Sequence, residues 1–177
     1  MANRKHKWDF LPIDKRFQRD TFDCGNRVLN QYIKKYAWQN HQKGIAKTFI
    51  ALPASGGLKV NGYYTITTGI IEYESFPESY QRKIPASPIT ATLIDKLAVD
   101  SPVQGQGLGE ELLVDALYRI VCTAQEIGIF AIRVDAIDLQ AKEFYLKHEF
   151  IPFQDKELSL FLPLESIARE FYIDSRW

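Results

Sequence analysis

The sequence has few of the cysteines that form disulfides or bind metals in small proteins. Its 177 residues include only two cysteines, Cys24 and Cys122. They are too few for a disulfide framework and too far apart in sequence for a local metal site, so we expect reduced structural thiols and no bound metal. No Gly-x-x-x-x-Gly-Lys sequence is present, which argues against a nucleoside triphosphate loop.

Long apolar runs are also missing. No stretch approaches the roughly 20 residues that a membrane-spanning helix needs, and the basic start from Met1 to Lys7 leads into no signal-peptide core. We therefore expect a cytoplasmic protein without membrane association.

Net charge is zero, but the charges are unevenly placed. Residues 1–47 hold eleven Lys and Arg against four Asp and Glu, a balance of +7, which leaves −7 for residues 48–177. A basic segment suits an anionic partner such as nucleic acid, although a solvated face would carry the same charges. With 46% hydrophobic residues, the chain can bury a sizeable core, and we predict a single domain over residues 1–177.

Apolar periodicity predicts alternating helices and strands. Asn26 is expected to cap a helix that Gly44 ends, and the longest helix is predicted from Gly107 to about Ile127. The other predicted segments are strands over 48–52, 59–73, 90–99, 129–134 and 158–162, and helices over 139–147 and 164–172. The expected core residues are Leu29, Leu112, Leu113, Leu117, Ile132 and Phe150.

The most informative segment runs from Val103 to Glu110 and reads Val-Gln-Gly-Gln-Gly-Leu-Gly-Glu. A glycine-rich turn that opens a helix presents unpaired amides at the positive end of the helix dipole, which suits a phosphate or pyrophosphate group. A dinucleotide loop starting at Gly105 would need its third glycine where the chain has Glu110. The segment therefore predicts a phosphorylated cofactor and argues against a dinucleotide.

The surroundings of this turn resemble the GNAT acyltransferases. Four segments carry the resemblance: Lys96–Val99, the Gln-x-x-Gly-x-Gly turn Gln104–Gly109, the predicted strand 129–134 and Lys142–Phe150. The resemblance implies an α/β (α+β) GNAT fold, in which helices lie on both faces of a central, mostly antiparallel sheet that splays near Val99. A doubly wound nucleotide fold is the alternative.

The resemblance also implies a site for acetyl-coenzyme A (acetyl-CoA). The turn amides would bind the pyrophosphate, and the backbone of Leu97 and Val99 would hydrogen-bond the pantetheine arm as an added strand does. The implied cofactor-binding residues are Leu97, Ala98, Val99, Gln104, Gly105, Gln106, Gly107, Leu108 and Gly109.

Tyr145 takes the position of the GNAT tyrosine that protonates the departing coenzyme A thiolate. A phenol has a reference pKa of about 10, so it is protonated at neutral pH and can serve as the acid. The alternative is that Tyr145 only packs beside Phe144 and Phe150. His148 is a candidate base, although an isolated histidine is more often a packing or surface residue.

No strong general base is evident, which favours an acceptor amine that is readily neutral. An α-amino group titrates at about 8, and an adjacent ester lowers this pKa, whereas a lysine amine titrates at about 10.4. An aminoacyl ester therefore suits the predicted site.

The amino-terminal half resembles the toxin branch of the GNATs, which acetylates aminoacyl-tRNA and arrests translation. The resemblance lies in Phe22–Tyr32, Tyr36–Asn40 and Ala46–Phe49, and it implies a small DNA-binding antitoxin as partner. A homodimer is a further expectation. The candidate contacts with tRNA phosphates are Lys34, Lys35, Lys43 and Lys47.

Two other functions fit the same residues. A GNAT that acetylates a small polyamine, an antibiotic or a protein amine would suit the acidic part of the chain. A non-catalytic acyl-CoA-binding module would keep the turn without turnover.

Overall fold

The computed structural model describes residues 7–168 and 170–171. They form two compact units, each made of more than one segment of the chain. The first unit comprises residues 7–67 and 96–116; the second comprises 68–95, 117–168 and 170–171. The single domain expected over residues 1–177 stays a prediction.

The described residues form one mixed sheet of seven strands. Their bounds are β1 Trp8–Pro12, β2 Lys47–Pro53, β3 Gly62–Ile71, β4 Ile89–Val99, β5 Ala131–Asp135, β6 Ile151–Pro152 and β7 Ser159–Pro163. The strand order is β1-β2-β3-β4-β5-β7-β6. The β1–β2, β2–β3, β5–β7 and β6–β7 pairs are antiparallel, and β4 runs parallel to β5 over Ala91–Ile94. The paired stretch thus ends before Leu97–Val99, where the splay is predicted.

Six α-helices lie in the described part of the chain: α1 Arg27–Gln31, α2 Ala37–Lys43, α3 Glu78–Gln81, α4 Leu108–Thr123, α5 Leu139–Lys147 and α6 Leu164–Ala168. None of them is long and apolar enough to cross a bilayer. Helices and a mostly antiparallel sheet confirm the predicted fold class. The end predicted for the last helix, Tyr172, lies outside the described residues.

The helical segment after Asn26 begins and ends as predicted, but it is not a regular α-helix. The Asn26 side chain accepts hydrogen bonds from the amides of Val28 and Leu29 at 3.0 and 3.1 Å, and Gly44 forms the left-handed cap of α2. Between α1 and α2 lies a π-helical turn, Tyr32–Tyr36. Such turns occur mostly as single insertions in α-helices.

β3 and α4 are shorter than predicted. The strand predicted from Lys59 begins at Gly62, because Lys59 instead forms an isolated bridge with Gln18. α4 ends at Thr123, about four residues early, where the Thr123 hydroxyl donates to the Arg119 carbonyl at 2.9 Å. Local side-chain hydrogen bonds of this kind compete with continuation of a helix.

Gly62 permits a close approach between β3 and the start of α4. A Cβ atom at this position would lie 2.8 Å from Leu112 Cδ1 and 3.3 Å from the Ala98 carbonyl oxygen. A side chain at this position would displace the buried Leu112 side chain, so glycine suits this close approach. The contact fixes the first turns of α4 beside β3 and the end of β4.

Each unit buries its own apolar residues. In the first unit, Tyr63 packs edge-on against Phe22 with ring centroids 5.5 Å apart, and its hydroxyl donates to the Leu29 carbonyl at 2.8 Å. In the second unit, Phe76 packs edge-on against Phe161 at 5.0 Å. The expected core residues are all buried, which confirms that prediction: Leu29, Leu112, Leu113, Leu117, Ile132 and Phe150.

His41, near the end of α2, links stability to pH. Its Nδ1 accepts a hydrogen bond from the Thr48 amide at 3.0 Å. Burial, and then the charge of Lys47, lower the pKa of His41 below its ordinary value of 6.5. Since the folded state disfavours the protonated ring, the stability from His41 is complete above about pH 6.5 and is lost as the pH falls through the lowered pKa.

We therefore expect the free energy of unfolding to decrease as the pH falls below about 6.5. The decrease should be smaller in His41→Asn, whose Oδ1 can accept the Thr48 amide without titrating in this range. Urea denaturation at several pH values measures the free energy of unfolding of the wild-type protein and of His41→Asn. Identical pH profiles for the two proteins would contradict the role of His41.

Candidate functional site

The end of β4 leads directly into the glycine-rich turn. Ala98 is buried, and Leu97 and Val99 are half-buried. The Gln104 side-chain amide donates to the carbonyl oxygens of Val99 at 2.9 Å and of Cys24 at 3.2 Å. These two hydrogen bonds hold the turn against the end of the strand.

The turn itself leaves backbone amides unused. Gly105 and Gly107 have φ angles of 72° and 86°, which residues with side chains rarely adopt. Among the described residues, the amides of Gly107, Leu108 and Gly109 donate no hydrogen bond within the chain. They stand at the positive end of the dipole of α4 and are free to bind an anion. The structure thus brings the predicted residues Gln104–Gly109 together in one turn.

Asp100, which sequence analysis did not select, anchors this turn. It follows β4 and is 1% exposed. Its Oδ1 accepts a hydrogen bond from the Asp23 amide at 2.8 Å, and its Oδ2 forms an ion pair with Lys59 Nζ at 2.9 Å. The Asp23 carbonyl accepts in turn from the amide and hydroxyl of Ser101 at 2.8 and 2.7 Å. Asp100 and Asp23 are 77 positions apart, so only the place of Asp100 directly after Leu97–Val99 could have signalled it.

A cavity of about 560 Å³ lies on the first unit beside α1 and the π-helical turn. Its lining residues are Asp23, Gly25, Arg27, Asn30, Gln31, Lys34 and Lys35. The structure therefore brings the predicted Lys34 and Lys35 together with Arg27, a third cation that sequence analysis missed. Lys43 and Lys47 do not line this cavity, and Lys47 Nζ donates to the His41 carbonyl at 3.1 Å.

One carboxylate shares the cavity with these cations. Asp23 accepts hydrogen bonds from the Gly25 amide at 2.9 Å and from the Asn30 side chain at 2.7 Å. These bonds, the first having the larger effect, lower the pKa of Asp23 below its ordinary value of 3.8. Asp23 is therefore ionised at neutral pH, and three cations face one anion in this cavity.

Tyr145 lies near the end of α5 in the second unit. Its side chain is 7% exposed and packs against Phe144 and Phe150, with ring centroids 5.2 and 5.3 Å apart. Burial raises the pKa of Tyr145 above its ordinary value of 10.0. Its hydroxyl forms no hydrogen bond with another described residue. His148 packs its ring against Phe144 at 4.8 Å.

Known proteins resemble this chain over most of its length. The acetyltransferase (GNAT) domain matches residues 85–159. The tRNA-acetylating toxin of Mycobacterium tuberculosis is 35% identical over 130 residues, which cover 73% of this chain and 76% of that toxin. The likeness therefore extends well beyond the residues that match the domain.

Two solved structures of AtaT share the fold. AtaT complexed with acetyl-methionyl-tRNAfMet has a TM-score of 0.86 and 29% identity, covering 93% of this chain and 99% of that one. A tyrosine-to-phenylalanine mutant of AtaT, bound to the C-terminus of the antitoxin AtaR and to acetyl-CoA, has a TM-score of 0.81 and 26% identity, covering 94% and 99%. This chain belongs to the GNAT acetyltransferases, in the branch that contains the tRNA-acetylating toxins.

Proposed function

We propose that this protein transfers the acetyl group of acetyl-CoA to the α-amino group of aminoacyl-tRNA and thereby blocks translation. The likeness to AtaT in its complex with acetyl-methionyl-tRNAfMet, over 93% of this chain, carries the proposal. The identity with a tRNA-acetylating toxin over 73% of the chain supports it independently. The likeness to AtaT extends past residues 85–159 into the amino-terminal part, which holds the basic cavity.

The glycine-rich turn is the proposed acetyl-CoA site. The free amides of Gly107, Leu108 and Gly109 suit a pyrophosphate group. Leu108 would act through its backbone, because its side chain is only 1% exposed. The half-buried strand segment Leu97–Val99 would offer its backbone to the pantetheine arm. AtaT, whose fold this chain shares, was solved with acetyl-CoA bound.

Tyr145 is the proposed acid. The amine nitrogen attacks the thioester carbonyl, the carbon–sulfur bond breaks, and the thiolate takes its proton from the Tyr145 hydroxyl. The amine loses its proton to water, and the Tyr145 phenolate regains a proton from water, which restores the phenol. Burial raises the pKa of Tyr145, so the phenol holds its proton at neutral pH, and its hydroxyl has no hydrogen bond to a described residue that would compete.

The basic cavity is the proposed contact for tRNA phosphates, through Lys34, Lys35 and the newly placed Arg27. An exposed ionic contact contributes up to about 1 kcal/mol. We expect the double change Lys34→Ala and Lys35→Ala to raise the KM for aminoacyl-tRNA about tenfold and to leave the KM for acetyl-CoA unchanged. Steady-state kinetics at fixed salt measure both constants.

The matched control for this cavity is the double change Lys43→Ala and Lys47→Ala. It removes the same charge from predicted tRNA contacts that do not line the cavity. Equal losses in the two double variants would mean that the cavity has no special part and that general electrostatic attraction accounts for the effect.

Three further properties belong to the proposal. The AtaR antitoxin, which was solved bound to AtaT and, as the AtaT–AtaR complex, to DNA, supports a DNA-binding antitoxin as partner of this chain. Action on tRNA supports a cytoplasmic location. The single domain over 1–177 and the homodimer are tested by limited proteolysis and by light scattering of the purified protein.

Acetylation of charged tRNA tests the proposal directly. The protein is incubated with mixed aminoacyl-tRNAs and labelled acetyl-CoA, and the amino acids released from the tRNA are analysed by mass. We expect N-acetyl amino acids and a block of cell-free translation that Tyr145→Phe relieves. Coenzyme A release with small or protein amines, without acetylated tRNA, would favour the other GNAT substrates. Tight acetyl-CoA binding without turnover on any amine would favour a binding module.

A further inference from the structure

The glycine-rich turn has no cation of its own. From Ser101 to Tyr118 the chain contains neither Lys nor Arg, and Glu110 and Glu111 lie in the first turn of α4. Two carboxylates beside the free amides oppose the binding of an anion as highly charged as acetyl-CoA. A cation from elsewhere in the chain would offset them.

Lys7 places such a cation at the turn. Its Nζ donates to Gln106 Oε1 at 2.6 Å, a contact across 99 positions of the sequence. The amide nitrogen of the same Gln106 side chain lies 3.5 Å from the Pro102 carbonyl, to which it donates. The oxygen and the nitrogen of the Gln106 side chain each form one hydrogen bond. They hold the Lys7 cation at Gln106, which lies between Gly105 and Gly107 in the turn.

The backbone of Lys7 is fixed although its side chain is exposed. Its carbonyl accepts a hydrogen bond from the Ala54 amide at 3.0 Å. The next residue, Trp8, is 3% exposed and pairs with Pro53 in the β1–β2 ladder. Lys7 Nζ lies 5.4 Å from the centroid of the Trp8 ring, close enough for a cation–π attraction. Lys7 is thus positioned in advance of any ligand.

We propose that Lys7 is a binding residue for acetyl-CoA that contacts one of its phosphate groups and supplies the charge that the turn lacks. This inference rests on the proposed function, since it takes the turn as the acetyl-CoA site. The Gln106 side chain accepts a hydrogen bond from Lys7 and so keeps this cation near the free backbone amides of the turn. Because both Lys7 and Gln106 are exposed, a phosphate can reach the cation without a change in the core.

Calorimetric titration of the full chain with acetyl-CoA tests the proposal. We expect Lys7→Ala to raise the Kd about three- to tenfold and Lys7→Arg, which keeps the charge, to retain most of the affinity. The matched control is Lys15→Ala, an exposed lysine of the same unit, which should change the Kd by less than about twofold. The loss in Lys7→Ala should shrink at high salt, because exposed charges are screened.

A second arm distinguishes the phosphates. Coenzyme A and 3′-dephospho-coenzyme A are titrated into the wild-type protein and Lys7→Ala. An equal loss for both ligands assigns the contact to the pyrophosphate, and a loss for coenzyme A alone assigns it to the 3′-phosphate. Both results support a phosphate contact.

Three results would overturn the inference: an unchanged Kd in Lys7→Ala, an equal loss in Lys15→Ala, or a loss that Lys7→Arg does not restore and that accompanies a lower melting temperature. The proposed function fails separately. If the wild-type protein does not bind acetyl-CoA, both proposals fall; if it binds and acetylates tRNA while Lys7→Ala binds equally well, only the role of Lys7 falls.

Discussion

Replacing Tyr145 by phenylalanine should lower the kcat of acetyl transfer by about 10²- to 10⁴-fold, the usual contribution of a positioned acid. The KM for acetyl-CoA should change little, because the ring and its packing against Phe144 and Phe150 are kept. The fold should also be unaffected, since the hydroxyl has no hydrogen bond to a described residue. Thiol release with charged tRNA as acceptor measures the rate.

Tyr118→Phe is the matched control for this change. Tyr118 is 49% exposed, so the same loss of one hydroxyl at that position should leave kcat within about twofold. Wild-type kcat in Tyr145→Phe would contradict the role of the phenol and leave Tyr145 as a packing residue.

The raised pKa of Tyr145 also predicts how the fold responds to alkali. Burial disfavours the phenolate in the folded state. The stability from Tyr145 is complete below its ordinary pKa of 10.0 and is lost as the pH rises through the raised folded value. The Tyr145→Phe protein should therefore lose less of its free energy of unfolding above about pH 10 than the wild-type protein does.

Asp100→Ala should have the largest effect on stability, lowering the free energy of unfolding by about 2 to 4 kcal/mol. The change removes the acceptor of the Asp23 amide and the partner of Lys59. Lys59 is 41% exposed and can be hydrated, so most of the cost comes from the unpaired Asp23 amide. Because Asp23 also accepts from Ser101, the glycine-rich turn should loosen and the KM for acetyl-CoA should rise.

Two further variants separate the charge of Asp100 from its hydrogen bond. Asp100→Asn keeps an oxygen for the Asp23 amide and should lose about half as much stability as the alanine variant. Lys59→Met leaves the buried carboxylate without its cation and should also destabilise the fold. Urea denaturation of the single and double variants yields their coupling free energy. A loss below about 0.5 kcal/mol in Asp100→Ala would contradict the anchoring role.

Features that depend on residues close together in the sequence were predictable from the sequence. The helix cap at Asn26, the turn Gln104–Gly109 and the bounds of α5 follow from contacts within a few positions, which propensity and spacing describe. The ends of β3 and α4 were wrong because other contacts decide them. Lys59 pairs with Gln18 instead of extending β3, and the Thr123 hydroxyl bonds back into α4.

Contacts between distant segments could not be predicted in this way. The Asp100 bond to Asp23 and the Lys7 bond to Gln106 span 77 and 99 positions. No local pattern distinguishes these side chains from other exposed or buried charges. Likewise, the sequence did not distinguish among the four candidate lysines Lys34, Lys35, Lys43 and Lys47. The fold places Lys34 and Lys35 in one cavity with Arg27.

The π-helical turn Tyr32–Tyr36 sets a rule for how this segment can vary in length. Each residue of an α-helix turns the chain by about 100°, but a π-helical turn holds its extra residue as a local bulge, so α1 and α2 keep the phase of one continuous helix. Ala37 is fully buried and Trp38 packs against the same core. A surface loop tolerates insertions at little cost. Deleting one residue within Tyr32–Tyr36 should restore a regular α-helix and leave these side chains facing the core, so the turn is the place where this helical segment can change its length.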